Sequence, residues 1–419
     1  MSDAATHSAI EAVWRIESAR LIGGLVRIVG DLGLAEDLAQ DALVDALRRW
    51  PESGVPEKPG AWLMAAAKFR AIDLLRRGRR LEQRQEELAR AIGAELALAG
   101  AEFDAVISES IEDDVLRLMF ACCHPMLATE ARVALTLRLL GGLTTSEIAR
   151  GFLVGEPTIA QRIVRAKRTL TQARAEFAIP DRNELGPRLG SVLEVIYLVF
   201  NEGYSASAGE DWIRPTLAEE ALRLGRILVE LVPGEQEVHG LVALMELQAS
   251  RFGARTDAAG DPVLLAAQDR GRWDRLLIAR GLAALGRAER LAAPAGQYML
   301  QAQIAACHAR AASAEQTDWQ EITERYEALT RITGSPVVAL NRAVAAAMAF
   351  GPEVGLALVE PLRGEPSLSG YYLLASVRGD LLARLGRTDE ARSEFERAAR
   401  LTENSREREL LTARATACA

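Results

Sequence analysis

A row of hydrogen-bonding side chains lies along one face of a predicted helix in this 419-residue chain. At helical spacing, the apolar residues of segment 156–173 fall on one narrow arc. They are Ile159, Ile163, Ala166 and Leu170. The opposite arc carries hydroxyl, amide and guanidinium groups, from Thr158, Gln161, Arg162, Arg165 and Arg168. Such groups bind base edges and phosphates in a DNA major groove, so the segment predicts a helix buried on one side that could read DNA with the other.

The residues before this helix complete a helix-turn-helix pattern. A capping-box sequence from Thr144 to Glu147 opens a short helix through Arg150, and a glycine-bearing turn at 151–155 leads into the basic helix. Residues 131–175 hold eight basic and two acidic side chains, although the whole chain has a net charge of −8. A phosphate backbone needs a local cationic surface, so DNA binding is a better interpretation than a solvated surface helix.

Helices are predicted along most of the remaining chain, and segments with the pattern of a strand are scarce. In the first 80 residues we expect helices over 8–29, from about residue 34 to the loop that begins at Pro51, and over 61–77. Helices over 112–122 and 129–140 precede the helix-turn-helix. Six later residues match the pattern of a tetratricopeptide repeat: Gly379, Leu382, Gly386, Ala391, Phe395 and Ala398. An irregular helical domain remains an equal alternative for this half of the chain.

Composition and cysteine usage exclude several classes of protein. The chain is 49% apolar and 26% charged, which is typical of a soluble globular protein of two or three domains. No apolar run approaches the roughly 20 residues of a membrane span, and no secretory signal is visible, so we expect a cytoplasmic protein. The segment Cys122-Cys123-His124 lacks metal-ligand spacing. The polar and aromatic segment 261–274 is better explained by hydrogen bonding and packing between helices than by a ligand pocket. We therefore predict no catalytic residue, no metal and no cofactor.

Several stretches of the first 175 residues, taken together, resemble the sequence motifs of one known protein family. They are AEDLAQDA at 35–42, ALRRW at 46–50, PGAWL at 59–63, AIDLLRR at 71–77, and the segments 143–150 and 157–167. The first four are similar to region 2, and the last two to region 4, of the extracytoplasmic-function sigma factors of bacterial RNA polymerase. The extension after Pro180 resembles a subgroup with a large helical C-terminal domain, which is thought to regulate activity in place of a separate anti-sigma protein.

The resemblance implies roles for matching positions. An acidic face with Asp37, Gln40 and Asp41 would bind the clamp helices of core polymerase. The third helix would engage and open the −10 element, through Trp62, Lys68, Phe69, Arg70, Asp73, Arg76 and Arg77. The −35 element would be read by Thr158, Gln161, Arg162, Arg165 and Arg168. Phe69 departs from the family, which commonly has asparagine there; an aromatic ring could stack on a base or pack inside.

These observations predict an all-α protein with two sigma modules, region 2 over 1–80 and region 4 over 112–178. A linker over 81–111 joins the modules, and a helical, tetratricopeptide-like regulatory extension covers 179–419. The expected partners are core RNA polymerase, promoter DNA, and a regulatory protein or an intramolecular contact made by the extension. The alternative is a free-standing helix-turn-helix regulator whose extension senses a ligand or a protein. The acidic helix around Asp41 distinguishes the two alternatives, because a sigma factor needs it to bind core polymerase and a free-standing regulator does not. The basic arc argues against a third possibility, a helical adaptor without a DNA role.

Overall fold

The computed structural model describes residues 3–78, 114–152, 154–173, 175–204, 215–257, 263, 265–402 and 405–418. The described residues contain no β-strand, and their long regular elements are α-helices, which confirms the all-α prediction. No described helix is both long enough and apolar enough to cross a membrane. The predicted linker, residues 81–111, lies outside the described residues.

The chain divides into two compact units, and the division falls within one helix. In the first unit, Met1–Leu198, the described helices are α1 (Asp3–Val29), α2 (Leu32–Ser53), α3 (Pro59–Gly78), α4 (114–122), α5 (Thr129–Leu139), α6 (Thr145–Gly151), α7 (Glu156–Gln172) and most of α8 (Arg182–Tyr204).

The second unit, Val199–Ala419, begins in the last turns of α8. Its other described α-helices are α9 (Pro215–Leu231), α10 (Gln236–Ala249), α11 (Arg275–Arg290), α12 (Gln297–Arg310), α13 (Trp319–Thr333), α14 (Pro336–Phe350), α15 (Pro352–Val359), α16 (Tyr372–Arg384), α17 (Thr388–Leu401) and α18 (Ser405–Ala417).

The boundaries of α1 and α2 follow from local residue chemistry. The first helix ends at Gly30, whose φ of +70° suits glycine, and the side chain of Asp31 caps α2 by accepting the backbone N–H of Leu34 at 2.8 Å. The prediction that a loop begins at Pro51 is wrong, because α2 continues to Ser53. Proline is tolerated there because it lies in the last turn, where its missing N–H removes only one helical hydrogen bond.

In the second unit, α16 and α17 form a closely packed helical hairpin. A side chain at Gly379 would lie 2.9 Å from the ring of Phe395, so only glycine lets the two helices approach this closely. Gly386 has a φ of +74° in the turn between them, and Leu382, Ala391 and Ala398 are buried. The six residues of the repeat pattern therefore pack as one helical pair. Their assignment as a tetratricopeptide repeat stays a prediction.

The polar segment before α11 connects helices through hydrogen bonds, as the sequence predicted. Arg270 is buried and donates to the backbone carbonyls of His308 and Ala311, the latter at 3.1 Å, and to the hydroxyl of Thr317 at 3.1 Å. Asp274 caps α11 by accepting the N–H groups of its first turn. The end of α12 is thus held by one guanidinium group.

Replacing Arg270 by alanine is expected to loosen this part of the second unit. The two carbonyls and the hydroxyl would lose a buried charged donor, which lowers the free energy of unfolding by about 2–3 kcal/mol. Hydrogen–deuterium exchange of the α12 amides should accelerate accordingly. The exposed Arg272→Ala variant is the matched control. Equal protection of α12 in both variants would contradict the assigned role of Arg270.

Candidate nucleic-acid and protein interfaces

The capping box predicted before the basic helix is present. The backbone N–H of Thr144 donates to the Glu147 carboxylate at 2.7 Å, and the Glu147 N–H donates to the Thr144 hydroxyl at 3.1 Å. These reciprocal bonds satisfy N–H groups at the start of α6. A turn follows α6, and α7 begins at Glu156 with Pro157 in its first turn. The helix-turn-helix predicted from the sequence therefore consists of α6 and α7.

The two faces of α7 differ as the helical spacing predicted. All four apolar residues of its inner arc are buried: Ile159, Ile163, Ala166 and Leu170. On the opposite face Thr158, Gln161, Arg165 and Arg168 are exposed, while Arg162 is half-buried. A helix anchored in this way holds its outer groups in fixed positions, which suits the reading of a DNA groove.

The acidic face predicted on α2 is partly exposed. Asp37 and Asp41 are open to solvent, whereas Gln40 is half-buried and donates to the Glu36 carboxylate at 2.7 Å. Asp37 and Asp41 are one helical turn apart and present two negative charges on the same side. Because the Gln40 side chain points to the buried Glu36 carboxylate, the exposed acidic face of α2 consists mainly of Asp37 and Asp41.

Helix α3 places its predicted −10 residues in different surroundings. The half-buried Trp62 packs edge-on against the buried Trp50, with ring centroids 5.3 Å apart. Phe69 is 76% exposed, so the ring is available for stacking and is not part of the core. Arg70 forms an ion pair with Asp45 at 2.6 Å and lies 3.6 Å from Asp41. Arg70 thus links the third helix to the acidic side of α2.

The remaining predicted −10 residues lie further along α3. Lys68 and Asp73 are half-buried. Arg76 and Arg77 are on the same helix, but their side chains lie outside the described residues. The structure therefore brings Trp62, Phe69 and Arg70 onto one helix beside α2.

The cysteines near the end of α4 are buried thiols. Burial raises the pKa of Cys123 to about 11 and raises that of Cys122, so both stay protonated at neutral pH. Among the described residues no group of three histidine, cysteine or acidic side chains is arranged to hold a metal ion. Cys122 and Cys123 are packing residues of the first unit.

The first part of α8 is bonded to the helices that carry the helix-turn-helix. The hydroxyl of Ser191 donates to the Cys123 carbonyl at 2.6 Å, and the Arg188 guanidinium donates to the Phe120 carbonyl at 3.0 Å. Arg132 of α5 is buried and pairs with Glu194 at 3.0 Å. The chain after Pro180 thus begins with a helix that is integrated into the first unit.

Sequence reasoning missed two residues of these surfaces. Glu36 is buried, with 4% of its surface exposed, and pairs with Arg138 and Lys167, which the acidic pattern of α2 did not predict. Its position one turn after the buried Leu32 was the available signal. Val164 is exposed beside Gln161 on α7, and an apolar residue outside the inner arc was the signal there.

Comparison with known protein families agrees with this architecture. The chain matches the models of sigma-70 region 2 over residues 16–81 and of sigma-70 region 4 over residues 117–170. Residues 188–289 match a family of unknown function, DUF6596. The first two matches identify the two DNA-binding regions of sigma-70 proteins in this chain.

Individual relatives narrow the class. An uncharacterized protein of Rhizobium meliloti is 45% identical over 398 residues, which cover 92% of this chain and 90% of that protein. The probable ECF RNA polymerase sigma factor SigI of Mycobacterium tuberculosis is 26% identical over 41% of this chain and 58% of its own length. The ECF RNA polymerase sigma factor SigK of Mycobacterium ulcerans is 28% identical over 36% of this chain and 78% of its own length.

The chain carries sigma-70 regions 2 and 4 and is similar to extracytoplasmic-function sigma factors of RNA polymerase. It is therefore a non-enzymatic protein that binds core polymerase and promoter DNA and directs transcription initiation. This excludes the free-standing regulator that the sequence left as an alternative.

Proposed function

We propose that this sigma factor recognises the promoter with two described helices, binds core polymerase with a third, and is regulated in cis by residues 179–419. The exposed face of α7 reads the −35 element, α3 engages the −10 element, and the acidic face of α2 binds core polymerase. The observation that carries the proposal is the division of α7 into a buried apolar arc and an exposed row of hydroxyl, amide and guanidinium groups.

Chemical complementarity supports the assignment of α7. Guanidinium groups bind guanine edges or phosphates, an amide such as Gln161 can pair with adenine, and Thr158 lies at the helix N-terminus. In helix-turn-helix proteins the N-terminal residues of the second helix contact base edges. Arg165 and Arg168, further along the helix, are suited to phosphates.

The exposure of Phe69 supports a role for α3 in opening the −10 element. An extruded base loses stacking energy of a few kcal/mol, and an exposed aromatic ring can replace part of it. Trp62 packs against Trp50 and would hold the exposed surface of α3 in place. Arg76 and Arg77 would also engage the −10 element, as the resemblance implies.

Reversing the charge of Asp41 is expected to weaken binding to core polymerase by tenfold or more. The reason is that a positive side chain at position 41 would then face a polymerase surface that binds negative ones. The Asp41→Arg variant should still fold, since Asp45 holds Arg70 at 2.6 Å without it. Titration of fluorescently labelled core polymerase measures the change. Asp389→Arg, an equally drastic change at an exposed site in the second unit, is the control. Unchanged core affinity of Asp41→Arg would refute this role.

Regulation in cis is supported by the attachment of α8 to region 4. Bonds from Arg188, Ser191 and Glu194 join the start of the extension to α4 and α5, so a change in the extension has a direct physical route to the DNA-binding module. The extension is also acidic, whereas residues 131–175 are basic. As a partner of RNA polymerase, the protein would act in the cytoplasm.

A further inference from the structure

An exposed valine lies beside the proposed base-reading row of α7. Val164 is 64% exposed, three residues after Gln161 and four before Arg168, so both are its neighbours on the helix surface. In the described part of α5 to α7 it is the large apolar side chain that remains exposed. A β-branched residue lowers helix propensity, and an exposed one buries little apolar area. Val164 therefore contributes little to the stability of the free protein.

We propose that Val164 contacts the 5-methyl group of a thymine in the −35 element and so selects thymine at that position. This inference rests on the proposed function of α7. Thymine is the base that presents a methyl group in the major groove, where apolar side chains contact it. Gln161 and Arg168 would hold the valine against the groove from either side. Burying about one methyl group corresponds to about fourfold in affinity.

The test uses deoxyuridine, which pairs as thymine does but lacks the methyl group. Duplexes are first selected by the wild-type holoenzyme from a pool randomised over the −35 element. Each thymine of the selected element is then replaced singly by deoxyuridine, and binding is measured for wild type, Val164→Ser and Val164→Thr. Leu276→Ser, an exposed apolar site in the second unit, is the matched control.

The wild-type holoenzyme should lose about fourfold in affinity at one deoxyuridine position. Val164→Ser should bind the thymine duplex about fourfold more weakly and be indifferent to deoxyuridine there, while Val164→Thr keeps part of the preference. A selected element without thymine, or equal sensitivity of wild type and Val164→Ser at every position, overturns the proposal. Loss of −35 dependence on alanine substitution of Arg162 and Arg165 would leave the proposed function intact in that case.

Discussion

Replacing Arg162 and Arg165 together by alanine is expected to reduce −35-dependent transcription by about 30-fold or more, because each guanidinium bound to a base edge contributes about 1–3 kcal/mol and two are removed. Arg165 is exposed and Arg162 half-buried on a helix whose inner arc is intact in the variant, so α7 should still fold. In vitro transcription with purified core polymerase measures the loss. The salt dependence of promoter binding should also become shallower, by about one for each phosphate contact removed.

Two controls separate this effect from a general loss of activity. Arg280→Ala removes an exposed arginine of the second unit and should transcribe as wild type does. On a promoter whose −35 element is scrambled, the double variant and wild type should give the same low transcript level. If the double variant still discriminated between the intact and scrambled promoters, α7 would not be the −35 reader.

The second large effect is expected from the position at which the extension is removed. A chain that ends at Asp181 lacks α8, so the buried Arg132 loses Ser191 and Glu194, and the carbonyls of Phe120 and Cys123 lose their donors. Leaving a buried charge without its partners costs about 3–5 kcal/mol. We expect the α5 amides to lose protection in hydrogen–deuterium exchange and −35-dependent transcription to fall to background.

A chain that ends at Tyr204 keeps all of α8 and should retain the protection of α5. Its transcription then reports on regulation alone, because region 4 is still supported. Regulation in cis predicts that this chain and the full-length protein differ by severalfold at the same promoter. Equal transcription from both would end the proposal of regulation in cis, and unchanged protection of α5 in the shorter chain would show that α8 is dispensable for region 4.

The buried and exposed faces of α7 could be predicted because a helix has a fixed period. Once segment 156–173 is taken as a helix, burial of Ile159 and Ile163 places Gln161 and Arg165 outside, with no information from the rest of the chain. The capping box at Thr144 and the end of α1 at Gly30 were predictable for the same reason, since the partners are three or four residues apart.

Pairings between distant segments could not be predicted in this way. Arg70 of α3 pairs with Asp45 of α2 at 2.6 Å, which the sequence did not indicate, and its contact with the −10 element stays a prediction. This pairing depends on which helix lies beside which.

The sequence by itself determined the helices, their inner and outer faces, and the resemblance to sigma regions 2 and 4, because these depend on residues a few positions apart. The tertiary structure alone decided that Glu36 receives Arg138 and Lys167 from more than 100 residues away, and that α8 supports region 4. The physical reason is that a charge is solvated or buried according to its neighbours in space. The periodicity of one helix does not show which residues of other helices those neighbours are.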